Sequence, residues 1–122
     1  MKGENKIQEL SFDFALLIIE LYKKLVERKE FILSKQLLRS GTSIGANIEE
    51  AIAAQSRKDF ISKMSIAAKE AREVRYWIRL LDQSKLVDLE YTTYLESIEH
   101  IINILTKIVK TSKEKIVSNN KI

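Results

Sequence analysis

The chain contains no proline and no cysteine, and its 122 residues include only three glycines. Proline is the strongest interrupter of helices, so its absence permits long uninterrupted helical segments. The absence of cysteine excludes disulfides, thiolate zinc sites and cysteine nucleophiles. A chain of this length can bury a core of its own, and we expect residues 1–122 to form a single domain.

Long apolar runs are also missing from the sequence. The longest run, residues 15–19, lies between Asp13 and Glu20. It is far shorter than the roughly 18–20 residues that a membrane-spanning helix needs. The first residues carry no apolar segment of the kind found in secretory signals. We therefore predict a cytoplasmic protein without a membrane partner.

Apolar residues recur every three or four positions along four segments, which indicates amphipathic helices. We predict helices over about 10–29, 34–55, 57–84 and 88–112, followed by a frayed C-terminal tail. Ser56, with Asp59 three residues later, is a capping signal for the third helix, and Asp88 is a good cap residue for the fourth. Four helices with short connections predict an all-α fold, an antiparallel up-down-up-down four-helix bundle.

The first predicted helix has a broad apolar face. One stripe contains Leu10, Phe14, Leu17, Leu21 and Leu25, and a second stripe beside it contains Phe12, Ala15, Ile19, Tyr22 and Val26. The interior of a bundle needs only the first stripe. The second stripe therefore predicts contact with further copies of the chain in a homo-oligomer. The alternative is that the broad face lies deep inside a small monomer.

Gly41 and Gly45 lie inside the second predicted helix, where each glycine costs about 1 kcal/mol relative to alanine. They are four residues apart and share one face, which favours close packing of another helix. A turn near Gly41 is the alternative interpretation. Because the apolar stripe keeps its phase across both glycines, we predict one continuous helix.

Positive charge is concentrated in two segments. Residues 56–85 carry eight basic and four acidic residues, and residues 107–122 carry five and one, whereas residues 86–106 carry four acidic residues and no basic one. A basic stripe can bind phosphates by releasing counterions, and the aromatic rings of Tyr76 and Trp77 among the arginines can stack on bases.

The candidate nucleic-acid-binding residues are Lys69, Arg72, Arg75, Arg79, Lys107, Lys110 and Lys113. The alternative is an ordinary solvated face, in which Lys69 pairs with Glu73, Trp77 belongs to the core, and helices of opposite charge pair with each other.

A second polar cluster spans the second and third predicted helices. Its members are Arg39, Ser40, Ser43, Asn47, Glu50, Glu70 and Glu73. We favour a buried hydrogen-bonded network, which would set the register of the helices and the oligomeric state. A small ligand pocket, or a metal site made of carboxylates, is the alternative.

His100 is the only histidine in the chain and falls on the polar side of the fourth predicted helix. Neither Glu96 nor Glu99 has the Glu-x-x-His spacing that di-iron bundles require. The sequence also contains no glycine-rich phosphate loop and no nucleophile elbow. We therefore predict no catalytic activity, no cofactor and no bound metal.

The pattern Arg-Ser-x-x-Ser-Ile-x-Ala-Asn-Ile at residues 39–48 resembles the signature of the bacterial four-helix-bundle family of 23S rRNA intervening-sequence proteins. Residues 58–60 and 67–73 are similar to the third helix of that family, and the resemblance covers nearly the whole chain. It implies a four-helix protomer that assembles into a ring, typically a pentamer. A more distant relative, the accessory variability determinant of diversity-generating retroelements, binds nucleic acid and a reverse transcriptase.

These observations predict an oligomeric helical scaffold that binds RNA or another nucleic acid through its third helix and basic C-terminus, and the resemblance implies that the oligomer is a homopentamer. The alternative function is a protein-interaction adaptor whose charged faces recognise a partner protein.

Overall fold

The computed structural model describes the backbone of residues 2–119 and the side chains of residues 6–118. These residues form four α-helices, which are α1 (Lys2–Glu27), α2 (Leu33–Ile52), α3 (Arg57–Ser84) and α4 (Thr92–Asn119). Each helix packs against the next in the chain, and α4 also packs against α1. Contacts such as Gln8 with Glu49 join the start of one helix to the end of the next. The predicted all-α antiparallel bundle is confirmed.

The observed helix ends differ from the predicted ones mainly in α1 and α4. The α1 helix begins well before Leu10, because Ile7 is also fully buried in the core. The α4 helix begins at Thr92 instead of Asp88, and it continues past Ser112 to Asn119 where a frayed tail was expected. Ser112 is itself buried, so the inward-facing side of the helix extends beyond it. Residues 120–122 of the expected tail lie outside the described part.

One continuous core fills the space between the helices. Its fully buried aliphatic side chains include Ile7, Ile18, Leu21, Leu25, Leu37, Ile44, Ile48, Ile78, Leu81, Ile98 and Leu105. In α1 the buried line runs through Ile7, Ser11, Phe14, Ile18, Leu21 and Leu25 at alternating spacings of four and three. This seven-residue repeat is typical of helices packed side by side at a small angle. Leu10 and Leu17, which we expected in the core, are only partly buried at its edge.

The α1 and α2 helices approach each other closely at Gly41. A Cβ atom at this position would lie 2.7 Å from Cγ2 and 2.9 Å from Cγ1 of Ile18. A Cβ atom at Gly45 would lie 3.5 Å from the Ser11 hydroxyl, which is an ordinary contact. Gly41 is therefore required by the distance between the helices. The α2 helix is continuous through both glycines, as predicted.

The connection between α1 and α2 is held by a left-handed residue and a carboxylate. Lys29 has φ 64°, and the next amide, Glu30 N–H, donates to the Leu25 carbonyl at 2.9 Å. This arrangement closes α1 in a Schellman-type turn. The Glu30 carboxylate then accepts hydrogen bonds from the backbone N–H groups of Ile32, Leu33 and Ser34. It satisfies donors at the start of α2 that have no partner within the helix.

The other helix starts rely on side chains of the loops that precede them. Ser56 Oγ accepts from the Asp59 N–H at 3.0 Å, as the capping signal predicted. Before α4, the Glu90 carboxylate accepts from the Thr92 N–H at 3.1 Å, in the role that we assigned to Asp88. The Tyr91 hydroxyl donates to the Val87 carbonyl at 2.8 Å. Its burial, together with the negative charges of Asp82 and Asp88, raises the pKa of Tyr91 to about 12.

Gly41→Ala tests the close approach of α1 and α2. Alanine gains about 1 kcal/mol of helix propensity, but its Cβ would overlap with Ile18, and overpacking of a core typically costs about 1–3 kcal/mol. We expect urea unfolding to show that Gly41→Ala is destabilised. Gly45→Ala is the matched control, because it gains the same propensity without a clash and should be as stable as the parent or more stable. Equal stabilisation by both substitutions would contradict this packing.

Glu30→Gln tests the carboxylate cap of α2. Burial by itself would raise the pKa of Glu30, but the three backbone N–H donors outweigh it and lower the pKa below its usual value. The ionised form therefore stabilises the fold above the unfolded-state pKa of about 4.3, and this contribution disappears as the pH falls through the folded-state pKa. We expect Glu30→Gln to lose about 1 kcal/mol at pH 7.

The difference in unfolding free energy between the parent and Glu30→Gln should begin to shrink below the unfolded-state pKa and should disappear as the pH falls through the folded-state pKa. Urea unfolding at a series of pH values measures it. Glu27→Gln, at an exposed position near the end of α1, is the control and should change stability little at any of these pH values. A difference that stayed constant with pH would show that the charge of Glu30 has no part in the cap.

Candidate nucleic-acid interface

A basic groove lies between α3 and α4, in the half of the bundle that contains the end of α4. Its volume is about 440 Å³, and it is lined by Ser65, Ala68, Arg72, Thr106, Val109, Lys110 and Lys113. The lining residues of each helix follow the spacing of one helical face, which is why they meet along a single line. Ala68 is buried and Val109 is half-buried, whereas Arg72, Thr106, Lys110 and Lys113 are exposed.

The charged residues of this groove are all positive. Arg72, Lys110 and Lys113 contribute three cations, and no carboxylate is among the lining residues. Within the described side chains, none of the three takes part in an ion pair. The hydroxyls of Ser65 and Thr106 add hydrogen-bond donors. This combination suits a ligand with several negative charges, and phosphate groups fit it best.

The structure separates the sequence-predicted basic residues into groups. Arg75 pairs with Glu99 across α3 and α4 at 2.8 Å, so the acidic half of α4 neutralises it. Lys69 and Arg79 are exposed on α3 and are not among the groove residues. Lys107 is exposed on α4 and is also outside the groove. Of the seven candidates, three line one site.

The groove also contains Ser65, Ala68, Thr106 and Val109, which the sequence analysis did not single out. On α4, the groove residues Thr106, Lys110 and Lys113 are separated by four and then three residues. On α3, Ser65, Ala68 and Arg72 are separated by three and then four residues. That spacing places each set on one face of its helix. Only the pairing of α3 with α4 shows that the two faces meet.

The predicted polar cluster is formed only in part. Arg39 of α2 reaches across to α3, where its guanidinium pairs with Glu70 at 3.3 Å and also with Glu73. The Glu73 carboxylate accepts in addition from Trp77 Nε1 at 3.3 Å. Glu70 is mostly covered, with 14% of its side chain exposed, whereas Arg39 is half exposed. The bridge joins α2 to α3 at the surface of the bundle and not in its core.

The side chains of the remaining members are not part of the bridge of Arg39 with Glu70 and Glu73. Ser40 and Ser43 donate to carbonyls of their own helix, and Asn47 donates to the Ser43 carbonyl at 2.9 Å. Glu50 pairs separately with Lys63 at 3.1 Å. A single network through all seven residues is therefore absent from the described protomer. Ser40, Ser43 and Asn47 form their hydrogen bonds with backbone carbonyls of α2 itself, as serine and asparagine commonly do in helices.

An apolar stripe is exposed on α1. Phe12, Leu16 and Ile19 are 62%, 51% and 37% exposed, and their spacing of four and three residues places them on one helix face. Of the residues in the second predicted stripe, Phe12 and Ile19 belong to this surface, while Ala15, Tyr22 and Val26 are partly buried in the protomer. Leu16 was missed, although its spacing from Phe12 could have identified it.

The opposite end of the bundle from the groove carries another apolar surface. Phe31, Ile32 and Leu86 are 52%, 76% and 60% exposed. Together with Val87 and neighbouring residues they line a shallow groove of about 370 Å³ between the two loops at that end.

The described side chains include no group of three or more His, Cys, Asp or Glu residues placed to hold a metal ion. No helix in the described part of the chain has a stretch that is both long and apolar enough to span a bilayer.

Comparison with known proteins gives one family and one solved structure of note. The family model described as "23S rRNA-intervening sequence protein" matches residues 3–107. A crystal structure of a protein of unknown function from the S23 ribosomal protein family of Bacteroides thetaiotaomicron VPI-5482 is 49% identical in sequence, with a TM-score of 0.84. The match covers 88% of this chain and 98% of that chain. No curated protein matches the chain significantly.

Proposed function

The chain belongs to the family of 23S rRNA-intervening sequence proteins, and on this basis we propose that it is a non-catalytic homo-oligomeric scaffold that binds RNA or another nucleic acid. We further propose a cytoplasmic pentamer, which is the assembly implied by the family resemblance. The groove between α3 and α4 is the binding site in this proposal.

The observation that carries the proposal is the grouping of Arg72, Lys110 and Lys113 around one groove without a carboxylate. Like charges held close together repel each other, and a bound polyanion relieves that repulsion while it releases its own counterions. The groove is open, so a chain of phosphates could pass along it. The name of the family refers to 23S rRNA, which favours RNA as the first ligand to test.

Assembly through α1 is compatible with this site. The helices contact each other in the cyclic order α1, α2, α3, α4, so the edge between α1 and α2 is opposite the edge between α3 and α4. Phe12 lies at the first edge, beside Glu49 of α2. Copies that cover the α1 stripe would therefore leave the basic groove accessible. A ring would repeat the groove once per copy, and several weak sites on one ligand strengthen binding.

A protein-interaction adaptor is the second candidate function. The exposed apolar residues Phe31, Ile32 and Leu86 favour it, because apolar groups that stay exposed beside a groove often mark a site for another protein. This end of the bundle lies away from the basic groove, so the two functions predict effects of different residues.

The triple substitution of Arg72, Lys110 and Lys113 by Gln tests the groove. We expect its affinity for a short RNA, measured by fluorescence anisotropy, to fall about tenfold or more, because three phosphate contacts are lost. The parent's affinity should decrease linearly with salt on a log–log scale, and the slope should be shallower for the variant.

The matched control replaces Lys23, Lys24 and Lys35 by Gln. It removes the same charge from exposed positions on α1 and α2 and should leave most of the affinity intact. Equal losses in both triple variants would indicate binding by net charge alone. RNA binding that is absent at low salt in the parent would exclude the proposed function and leave the adaptor.

Phe12→Glu combined with Leu16→Glu tests assembly through the α1 stripe. Both side chains are exposed in the protomer, so the substituted chain should keep its helical circular dichroism while light scattering shows a smaller mass. Lys24→Glu, which adds a carboxylate to another face of α1, should leave the mass unchanged. A parent protein that is monomeric, or a double variant with the parent's mass, would rule out this interface.

A further inference from the structure

Tyr76 is an exposed aromatic residue next to the basic groove. Its side chain is 55% exposed. The ring packs against Trp77 in an edge-to-face arrangement, with centroids 5.3 Å apart and planes at 67°. Trp77 is itself partly buried against the core, and its Nε1 donates to Glu73 at 3.3 Å. The exposed tyrosine ring is thus supported by a neighbour that is anchored to the bundle.

Tyr76 lies one helical turn beyond Arg72 on α3, outside the residues that line the groove. It follows Arg72 by four residues, so both lie on the same face of α3, about 6 Å apart along the helix axis. Arg79 follows three residues later on the same stripe. A ligand that leaves the groove past Arg72 would therefore meet an aromatic ring and then another cation.

The dimensions of the groove fit a few phosphates. Ser65 and Arg72 are seven residues apart on α3, and Thr106 and Lys113 are seven residues apart on α4, which gives a length of about 10 Å. A groove of this length admits only a short stretch of one strand, and the nucleotide beyond Arg72 would reach Tyr76.

We propose that the groove and Tyr76 together select single-stranded nucleic acid over a duplex, with the phosphates beside Arg72, Lys110 and Lys113 and an unpaired base stacked on Tyr76. This inference rests on the proposed function and names the class of ligand for the same site. The faces of bases are covered by neighbouring pairs inside a duplex, whereas an unpaired base can offer its face to an aromatic side chain. Cations alone would not distinguish the two forms in this way.

The experiment compares a labelled 12-nucleotide RNA strand with the blunt duplex that it forms with its complement, by anisotropy at fixed salt. We expect the parent to bind the single strand about tenfold or more tightly than the duplex. Tyr76→Ala should remove most of that preference by weakening single-strand binding about tenfold, whereas Tyr76→Phe should retain it, because stacking needs the ring and not the hydroxyl.

Two further variants make the result specific. Phe31→Ala removes another exposed aromatic residue at the opposite end of the bundle and should change neither affinity. Arg72→Gln should weaken both ligands and reduce the salt slope for the single strand by about 0.7, whereas Tyr76→Ala should leave that slope unchanged.

The outcomes separate this inference from the proposed function. Equal affinities for strand and duplex, together with no effect of Tyr76→Ala, would overturn the single-strand preference; if Arg72→Gln still weakened both ligands, the basic groove would remain the binding site. Failure of the parent to bind either ligand at low salt would overturn the proposed function and this inference with it.

Discussion

Burial of one apolar line from each helix is the constraint on which the surface of this protein depends. Once Ile18, Ile44 and Ile78 point into a shared core, their helices cannot rotate about their axes without exposing those side chains. Every polar residue then takes a position set by its spacing from the buried line. The close contact of Gly41 with Ile18 fixes the distance between α1 and α2 in addition. The groove, the ion pairs and the exposed stripe all follow from this arrangement.

The antiparallel order of α3 and α4 explains how charge is distributed along the bundle. The acidic first half of α4 meets the second half of α3, where Glu99 pairs with Arg75. The basic second half of α4 meets the first half and the middle of α3, and there Lys110, Lys113 and Arg72 line one groove. A modest net charge of +4 therefore coexists with a local cluster of one sign. The repulsion between the positive charges of that cluster is weak in water, because dissolved salt screens exposed charges.

The apolar stripe of α1 and the basic groove between α3 and α4 lie on opposite edges of the bundle. The apolar stripe belongs to α1 and the basic groove to α3 and α4, so the two surfaces share no residue. The bridge from Arg39 to Glu70 and Glu73 occupies a third edge, between α2 and α3. There it anchors Glu73, which in turn holds Trp77 behind the exposed ring of Tyr76.

The local sequence pattern determined much of this protein. It predicted the number of helices, the bounds of α3, the cap at Ser56 and the continuity of α2 through both glycines. These features could be predicted because spacing and capping act over one or two helical turns. The same reasoning placed Leu10 and Leu17 in the core, where the tertiary structure has Ile7 and Ile18. In a helix with a broad apolar face, only the neighbouring helices decide which side is buried.

The candidate site shows the same division. The sequence identified the basic residues, but it could not tell that Glu99 neutralises Arg75 while Arg72 has no carboxylate partner among the described side chains. Nor could it tell that Ser40, Ser43 and Asn47 bond within their own helix. Those outcomes depend on which faces of α2, α3 and α4 meet and in what register. Side chains that are far apart in the chain interact only after packing of the core has brought their helices together, and so tertiary structure alone decided the groove.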